Sequence, residues 1–165
     1  MQSMRERSAT VYSTSWCPHS RRARALLESQ GFPFQEIDIE RNASAARQVE
    51  AWNSGNRSVP TIVAHLILAE PPNADLERIF LRSRARLMGC TAYVTQWCPD
   101  CHRTLKWLQE NRLPCTTIDI EADEAAAQKV QAWNGGNRTV PTLDVALRVV
   151  EPSNEQLLAL LGFGE

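Results

Sequence analysis

The chain repeats itself. Moved by 81 positions, Val11–Phe80 aligns with Ala92–Leu161 without a gap, and 29 of the 70 pairs are identical, far more than chance allows. Tyr12 meets Tyr93, Trp16-Cys17-Pro18 meets Trp97-Cys98-Pro99, and Ile37-Asp38-Ile39-Glu40 meets Ile118-Asp119-Ile120-Glu121. Trp52-Asn53 meets Trp133-Asn134, and Val59-Pro60-Thr61 meets Val140-Pro141-Thr142. Two copies of so long a unit are too few for a solenoid. The expectation is two small tandem domains, 1–85 and 86–165. Their junction falls in the basic stretch Arg82–Gly89, read as prolonging the first copy's last helix until Gly89 stops it.

Each copy reads as strand, helix, strand, helix, two short strands, helix. In the first, Thr10–Ser13 is a strand and Pro18–Gln30 a helix, with Ala23, Leu26 and Leu27 on one face and Gly31 as its stop. Phe34–Ile39 is the next strand, and Asn42 caps a helix over Ala43–Trp52. Thr61–Val63 and Leu66–Ala69 are expected to form a tight hairpin, and Asn73 to cap a last helix that buries Leu76, Ile79 and Phe80. The second copy repeats this with Asp123 and Asn154 as caps. The fold class is α/β: two small mixed four-stranded sheets flanked by helices, with the reactive loop at the carboxyl end of each first strand.

That loop carries the chemistry. Trp97-Cys98-Pro99-Asp100-Cys101 lies between a strand-like and a helix-like run, which places Cys98 at a helix N-terminus. There, unpaired amides and the positive end of the dipole favour a thiolate. Pro99 suits the first helical position, and Cys101 lies one turn away, where it can close a disulfide. Two cysteines at this spacing are also half of a zinc site with His102 as a third ligand, but a structural zinc needs four ligands and no second pair exists. The first copy reads Cys17-Pro18-His19-Ser20, so an attacking thiol remains without its resolving partner.

The second element is the proline loop. Val59-Pro60 and Val140-Pro141 follow the Trp-Cys-Pro loop at the same separation in both copies. With both motifs in this order, the chain resembles the thioredoxin superfamily, and within it the glutaredoxins. The loops Asn53–Thr61 and Asn134–Thr142 are similar to those of mycoredoxins. The resemblance implies thioredoxin-like (glutaredoxin) domains in which a cis-proline faces the thiol and the residue before it pairs with substrate. It implies catalysis by Cys98, Cys101 and Cys17. It implies substrate contacts from Trp97, Arg138, Thr139, Val140 and Pro141, and from Trp16, Arg57, Val59 and Pro60. The implied reaction is reduction of protein disulfides or mixed disulfides, with mycothiol or glutathione as electron donor and no bound cofactor or metal. Many glutathione-using glutaredoxins carry Gly-Gly before the last helix, whereas this chain has Glu70-Pro71-Pro72-Asn73 and Glu151-Pro152-Ser153-Asn154. The hairpins also lack the family's glycine turn.

Two alternatives accompany this reading. The first copy is either a second reactive unit or a docking module. Monothiol iron–sulfur carriers also lack the resolving cysteine, but their Cys-Gly-Phe-Ser loop does not match Pro18-His19. Trp52 and Trp133 read as core residues. Cys90 and Cys115 lack counterparts in the first copy: Cys115, at a strand start, reads as a buried small hydrophobe and Cys90, at the junction, as exposed, with either a candidate additional resolving thiol.

Composition sets the remaining bounds. A formal net charge of −1 argues against nucleic acid. Met1–Ala9 has no apolar core of a signal peptide, and nothing is long enough to span a membrane. Five cysteines without framework spacing suit a reducing cytoplasm. The expected partners are disulfide-bearing proteins and a small thiol or thiol reductase, and the expected state is a monomer.

Overall fold

A computed structural model describes residues 3–161. The elements are β1 Met4–Ser13, α1 Pro18–Ser29, β2 Phe34–Asp38, α2 Ala43–Trp52, β3 Thr61–Ala69 and α3 Asn73–Glu77, which runs on as a π-helical turn over Arg78–Arg82. The second copy follows with β4 Arg86–Val94, α4 Pro99–Glu110, β5 Thr116–Asp119, α5 Glu124–Trp133, β6 Thr142–Val150 and α6 Asn154–Leu161.

The expected hairpins are absent. β3 and β6 are each one unbroken strand, and they pair with each other. The result is one six-stranded sheet of order β2-β1-β3-β6-β4-β5. The reason is local: Val63-Ala64-His65-Leu66 contains no glycine, asparagine or aspartate to take the positive φ of a two-residue turn. The strand therefore continues, and β1 extends to Met4 to pair with its far half. On its other edge β3 pairs antiparallel with β6, Thr61 opposite Val150 and Ala69 opposite Thr142. These two pairs interconvert under the 81-residue shift, so a pseudo-twofold axis passes between His65 and Ala146. Each copy's β-α-β unit thus obtains its fourth strand from the other copy: β2-β1-β3 is completed by β6, and β5-β4-β6 by β3. Four-stranded thioredoxin-like sheets exist, but they share their two central strands.

The last helices follow their strands across. α6 packs against α1 of the first copy, and α3 of the first copy begins beside α4, where Arg103 Nη1 donates to Asn73 Oδ1 at 2.6 Å. At the axis, Arg78 Nη1 donates to the Ala159 carbonyl at 2.7 Å. One face of the sheet carries a single core in which Leu27, Leu66, Leu76 and Ile79 join Leu108, Leu147, Leu157 and Leu160. The other face holds two separate clusters, one around Val49 and Ile39 under α2, the other around Val130 and Ile120 under α5.

Several local expectations are met. Asn42 and Asp123 accept from the amides of Ala45 and Ala126, each at 3.0 Å. Gly31, at φ +64°, closes α1 with bonds from Gly31 N to Glu28 O and Phe32 N to Leu27 O. Other expectations are corrected. Asn73 and Asn154 are first helical residues rather than caps, and their side chains meet the other copy's arginines. Ser153 caps α6, its Oγ accepting from Gln156 N at 3.1 Å while Gln156 Oε1 accepts from Ser153 N at 2.9 Å. The helix before the junction stops at Arg82, not Gly89: Arg84 turns the chain at φ +58°, and Gly89 lies at a register shift inside β4. Among the described residues no helix is long and apolar enough to cross a membrane.

Candidate active sites

Cys17 and Cys98 stand where a strand-to-helix turn puts them, as N-caps of α1 and α4 with proline at the next position. The Cys98 sulfur accepts from Cys101 N at 3.1 Å, so one of the orphan amides of the first turn points at it. Across the loop, the Val140–Pro141 and Val59–Pro60 peptides are both cis. The carbonyls before these prolines face the thiols: Cys98 Sγ lies 3.7 Å from Val140 O, and Cys17 Sγ 3.8 Å from Val59 O. An extended chain laid along this loop would therefore pass the sulfur at contact distance.

Cys101 is fully buried behind Cys98. Burial, and then its hydrogen bond to Cys98, push its thiol up to about 12, so it remains protonated through the neutral range. In the first copy Ser20 takes this place and is also fully buried. Its hydroxyl makes no close hydrogen bond but is near enough to Cys17 to act on the sulfur. Burial works to raise the Cys17 thiol, but the Ser20 hydroxyl and the amides of Ser20 and His19 directed at the sulfur outweigh it and hold the thiol below its ordinary value. The Glu151 carboxylate opposes them.

Glu151 belongs to the other copy. Each reactive loop is faced by the segment between the other copy's last strand and last helix. Glu151 N donates to Pro60 O and Glu70 N to Pro141 O, both at 2.8 Å. Both glutamates sit at φ +48°, a left-handed conformation that costs a non-glycine residue about 1–2 kcal/mol; the bond to the proline carbonyl offsets part of it. Arg22 on α1 fastens the same segment, donating to Asn154 Oδ1 at 2.7 Å and Pro152 O at 3.1 Å. Arg103 does the same with Asn73 and with Pro71 O at 3.3 Å. Each site is therefore composite. This was legible only in part: Arg22 and Arg103, Glu70 and Glu151 are identical between the copies, but nothing in that identity says which copy they face.

The remaining expected residues lie around these two centres. Trp16 and Trp97 are 61% and 68% exposed beside their cysteines, each tethered by its indole N–H, to Glu40 at 3.1 Å and Glu121 at 3.0 Å. Arg57 and Arg138 are surface residues engaged in ion pairs with Glu50 and Glu124, both at 2.8 Å. The pairs are not equivalent, because the 81-residue shift sets Glu50 against Gln131 and Glu124 against Ala43. The Thr139 and Ser58 carbonyls accept from the hydroxyls of Thr142 and Thr61 at 2.8 and 2.7 Å. Those hydroxyls accept in turn from the amides of Asn134 and Asn53 at 3.2 and 3.1 Å. This brace fixes both proline loops and was missed, although Asn53, Thr61 and their counterparts are identical. Trp52 and Trp133 pack edge-on against Tyr12 and Tyr93, with centroids 5.4 and 5.5 Å apart, the core role expected of them.

A glutaredoxin family model matches the chain twice, over residues 9–65 and 90–150. The chain belongs to the glutaredoxin family. Among its relatives is a Mycobacterium tuberculosis protein described as a glutaredoxin, 43% identical over 53 residues, which are 32% of this chain and 63% of that one. Mycoredoxin 1 of Corynebacterium glutamicum is 43% identical over 57 residues, 34% of this chain and 70% of the relative. Glutaredoxin 3 of Escherichia coli is 44% identical over 52 residues, 32% and 61%. The match thus spans under two thirds of the mycobacterial relative. As a glutaredoxin-family protein this chain is a tandem one, and its copies differ in the residue behind the reactive sulfur.

Proposed function

We propose that the protein is a thiol–disulfide oxidoreductase that reduces protein disulfides or mixed disulfides between proteins and a small thiol. The observation that carries this reading is the Cys98 sulfur held between the Cys101 amide and the Val140 carbonyl, with a protonated thiol buried behind it. The Cys98 thiolate attacks a substrate sulfur, forming a mixed disulfide and releasing one thiolate. Cys101 then gives up its proton and attacks Cys98 Sγ, which releases the second thiol and leaves Cys98–Cys101 oxidised.

The two functional units are 1–85 and 86–165. In the first, Cys17 is a monothiol nucleophile whose mixed disulfide is released by an outside thiol. Trp16, Arg57, Val59 and Pro60 line its substrate path, as Trp97, Arg138, Thr139, Val140 and Pro141 line that of Cys98. Electrons come from a small thiol, mycothiol or glutathione. The Glu151 carboxylate, which acts on the Cys17 thiol, would repel a glutathione carboxylate, which favours mycothiol, a thiol without one.

The test is turnover of one peptide carried as its mycothiol and as its glutathione mixed disulfide. Cys98→Ser should remove most dithiol-type activity and Cys17→Ser only the monothiol share, with the mycothiol adduct the better substrate. Full activity in the Cys17→Ser/Cys98→Ser protein would overturn the reading. Loss of protein-substrate affinity alone in Cys17→Ser would make the first unit a docking module.

A further inference from the structure

Cys90 and Cys115 lie outside both reactive loops. Cys90 is in β4 and is only 8% exposed, and Cys115 immediately precedes β5. β4 and β5 are parallel, with Thr91 opposite Thr116. Continuing that register by one residue sets Cys90 opposite Cys115, as Ala9 stands opposite Phe34 in the first copy. Both side chains pack against the core under α4. Positions that are partners across strands have thus both become cysteine in one copy, and neither is cysteine in the other.

We propose that Cys90 and Cys115 form a second dithiol that closes reversibly to a disulfide on exposure to a low-molecular-weight disulfide. Neighbouring strands lie about 4.7–4.9 Å apart, within the roughly 4.4–6.8 Å that separates disulfide-bonded Cα atoms. The Cys115 thiol donates to the Thr116 carbonyl at 3.7 Å, and the influence of each sulfur on the other holds Cys115 below and Cys90 above the ordinary thiol value. Against expectation, Cys115 is the more accessible of the two, lining a surface hollow with Leu105, Leu108 and Leu113. The Cys115 thiolate attacks the small disulfide, forming a mixed disulfide and releasing one thiolate. Cys90 then loses its proton and attacks Cys115 Sγ, releasing the second. Two protein thiols are oxidised and one small disulfide is reduced to two thiols. The crosslink ties both ends of the segment that carries Cys98, Cys101 and α4.

The test uses the full chain with Cys17→Ser, Cys98→Ser and Cys101→Ser, reduced and then exposed to oxidised glutathione. The expected product is a monomer two hydrogens lighter, with no adduct and both thiols lost together, restored by dithiothreitol. Adding Cys90→Ser should leave a stable glutathione adduct on Cys115, and adding Cys115→Ser should slow reaction at Cys90 at least tenfold. A lasting adduct on Cys115 with Cys90 free, or no reaction, would overturn the proposal. Fragmentation of tryptic peptides from oxidised wild-type protein gives a readout independent of the serine variants: peptide 87–103 must be joined to 113–129 through Cys90 and Cys115, and absence of that link also overturns it.

Discussion

At the residue scale, the two N-cap thiols, Cys17 and Cys98, differ by what stands behind them. Cys17 is held down by the Ser20 hydroxyl against burial and against Glu151, so two substitutions should move it in opposite directions. Ser20→Ala removes an effect that lowers the thiol's pKa. The alkylation curve of Cys17 should therefore shift to higher pH, with the rate reduced near neutrality and unchanged in alkali. Glu151→Gln removes an opposing charge, and the same curve should shift to lower pH. Iodoacetamide rates at Cys17, resolved by peptide mass spectrometry, measure both. Cys101, buried and raised to about 12, should resist alkylation in the folded reduced protein until denaturant is added. The sequence revealed both cysteine loops, because a Trp-Cys-Pro turn before a helix is a local arrangement. It could not reveal Glu151 as a neighbour of Cys17, since the two stand 134 positions apart and only β3–β6 pairing brings them together.

At the element scale, the turn residues explain both what was readable and what was not. Gly31 ends α1 in a left-handed conformation, and in the second copy Arg112 adopts the same conformation at φ +56°. The closing bonds are also the same, Leu113 N to Leu108 O at 2.9 Å and Arg112 N to Gln109 O at 3.1 Å. Arg112→Gly should relieve that strain and stabilise the protein by about 0.5–1 kcal/mol in urea unfolding, the glycine's greater unfolded-state freedom offsetting the rest. In β3 the opposite holds: no residue of Val63–Leu66 invites a turn, and in both β3 and β6 the missing glycine, noted in the sequence, meant no hairpin at all. His65 lies at the centre of the β3–β6 ladder, opposite Ala146. His65→Pro should break the shared sheet, because proline is essentially excluded from central strands. His65→Thr should be nearly neutral. Soluble yield and circular dichroism distinguish the two.

For the whole molecule, one core crosses the boundary between the copies. Leu66 of β3 and Leu147 of β6 are both fully buried in it. Leu147→Ala should cost about 2–5 kcal/mol, and the loss should appear equally at Trp16 and Trp97, because the chain unfolds in one cooperative transition. Single-tryptophan variants retaining one or the other report on this directly; two separate transitions would contradict it. Residues 1–85 alone lack β6 and α6, the strand and helix that complete their sheet and core. That fragment should be unfolded or pair with a second copy of itself through β3, and sedimentation velocity would show a folded monomer if this is wrong.

The sequence by itself determined the duplication, the α/β class, both cysteine loops, both proline loops and most helix boundaries. Each of these is written in periodicity, caps and identities that act within about a dozen residues. The tertiary structure alone decided that the two units share their central strands and exchange their last helices. Pairing of strands 81 residues apart is set by the edge that each strand leaves open once its own turn is missing, and that edge is defined only when the chain has folded. The same pairing places each unit's glutamate and last-helix segment beside the other unit's proline loop. The register that brings Cys90 to Cys115 belongs to the second unit's own β4–β5 pairing.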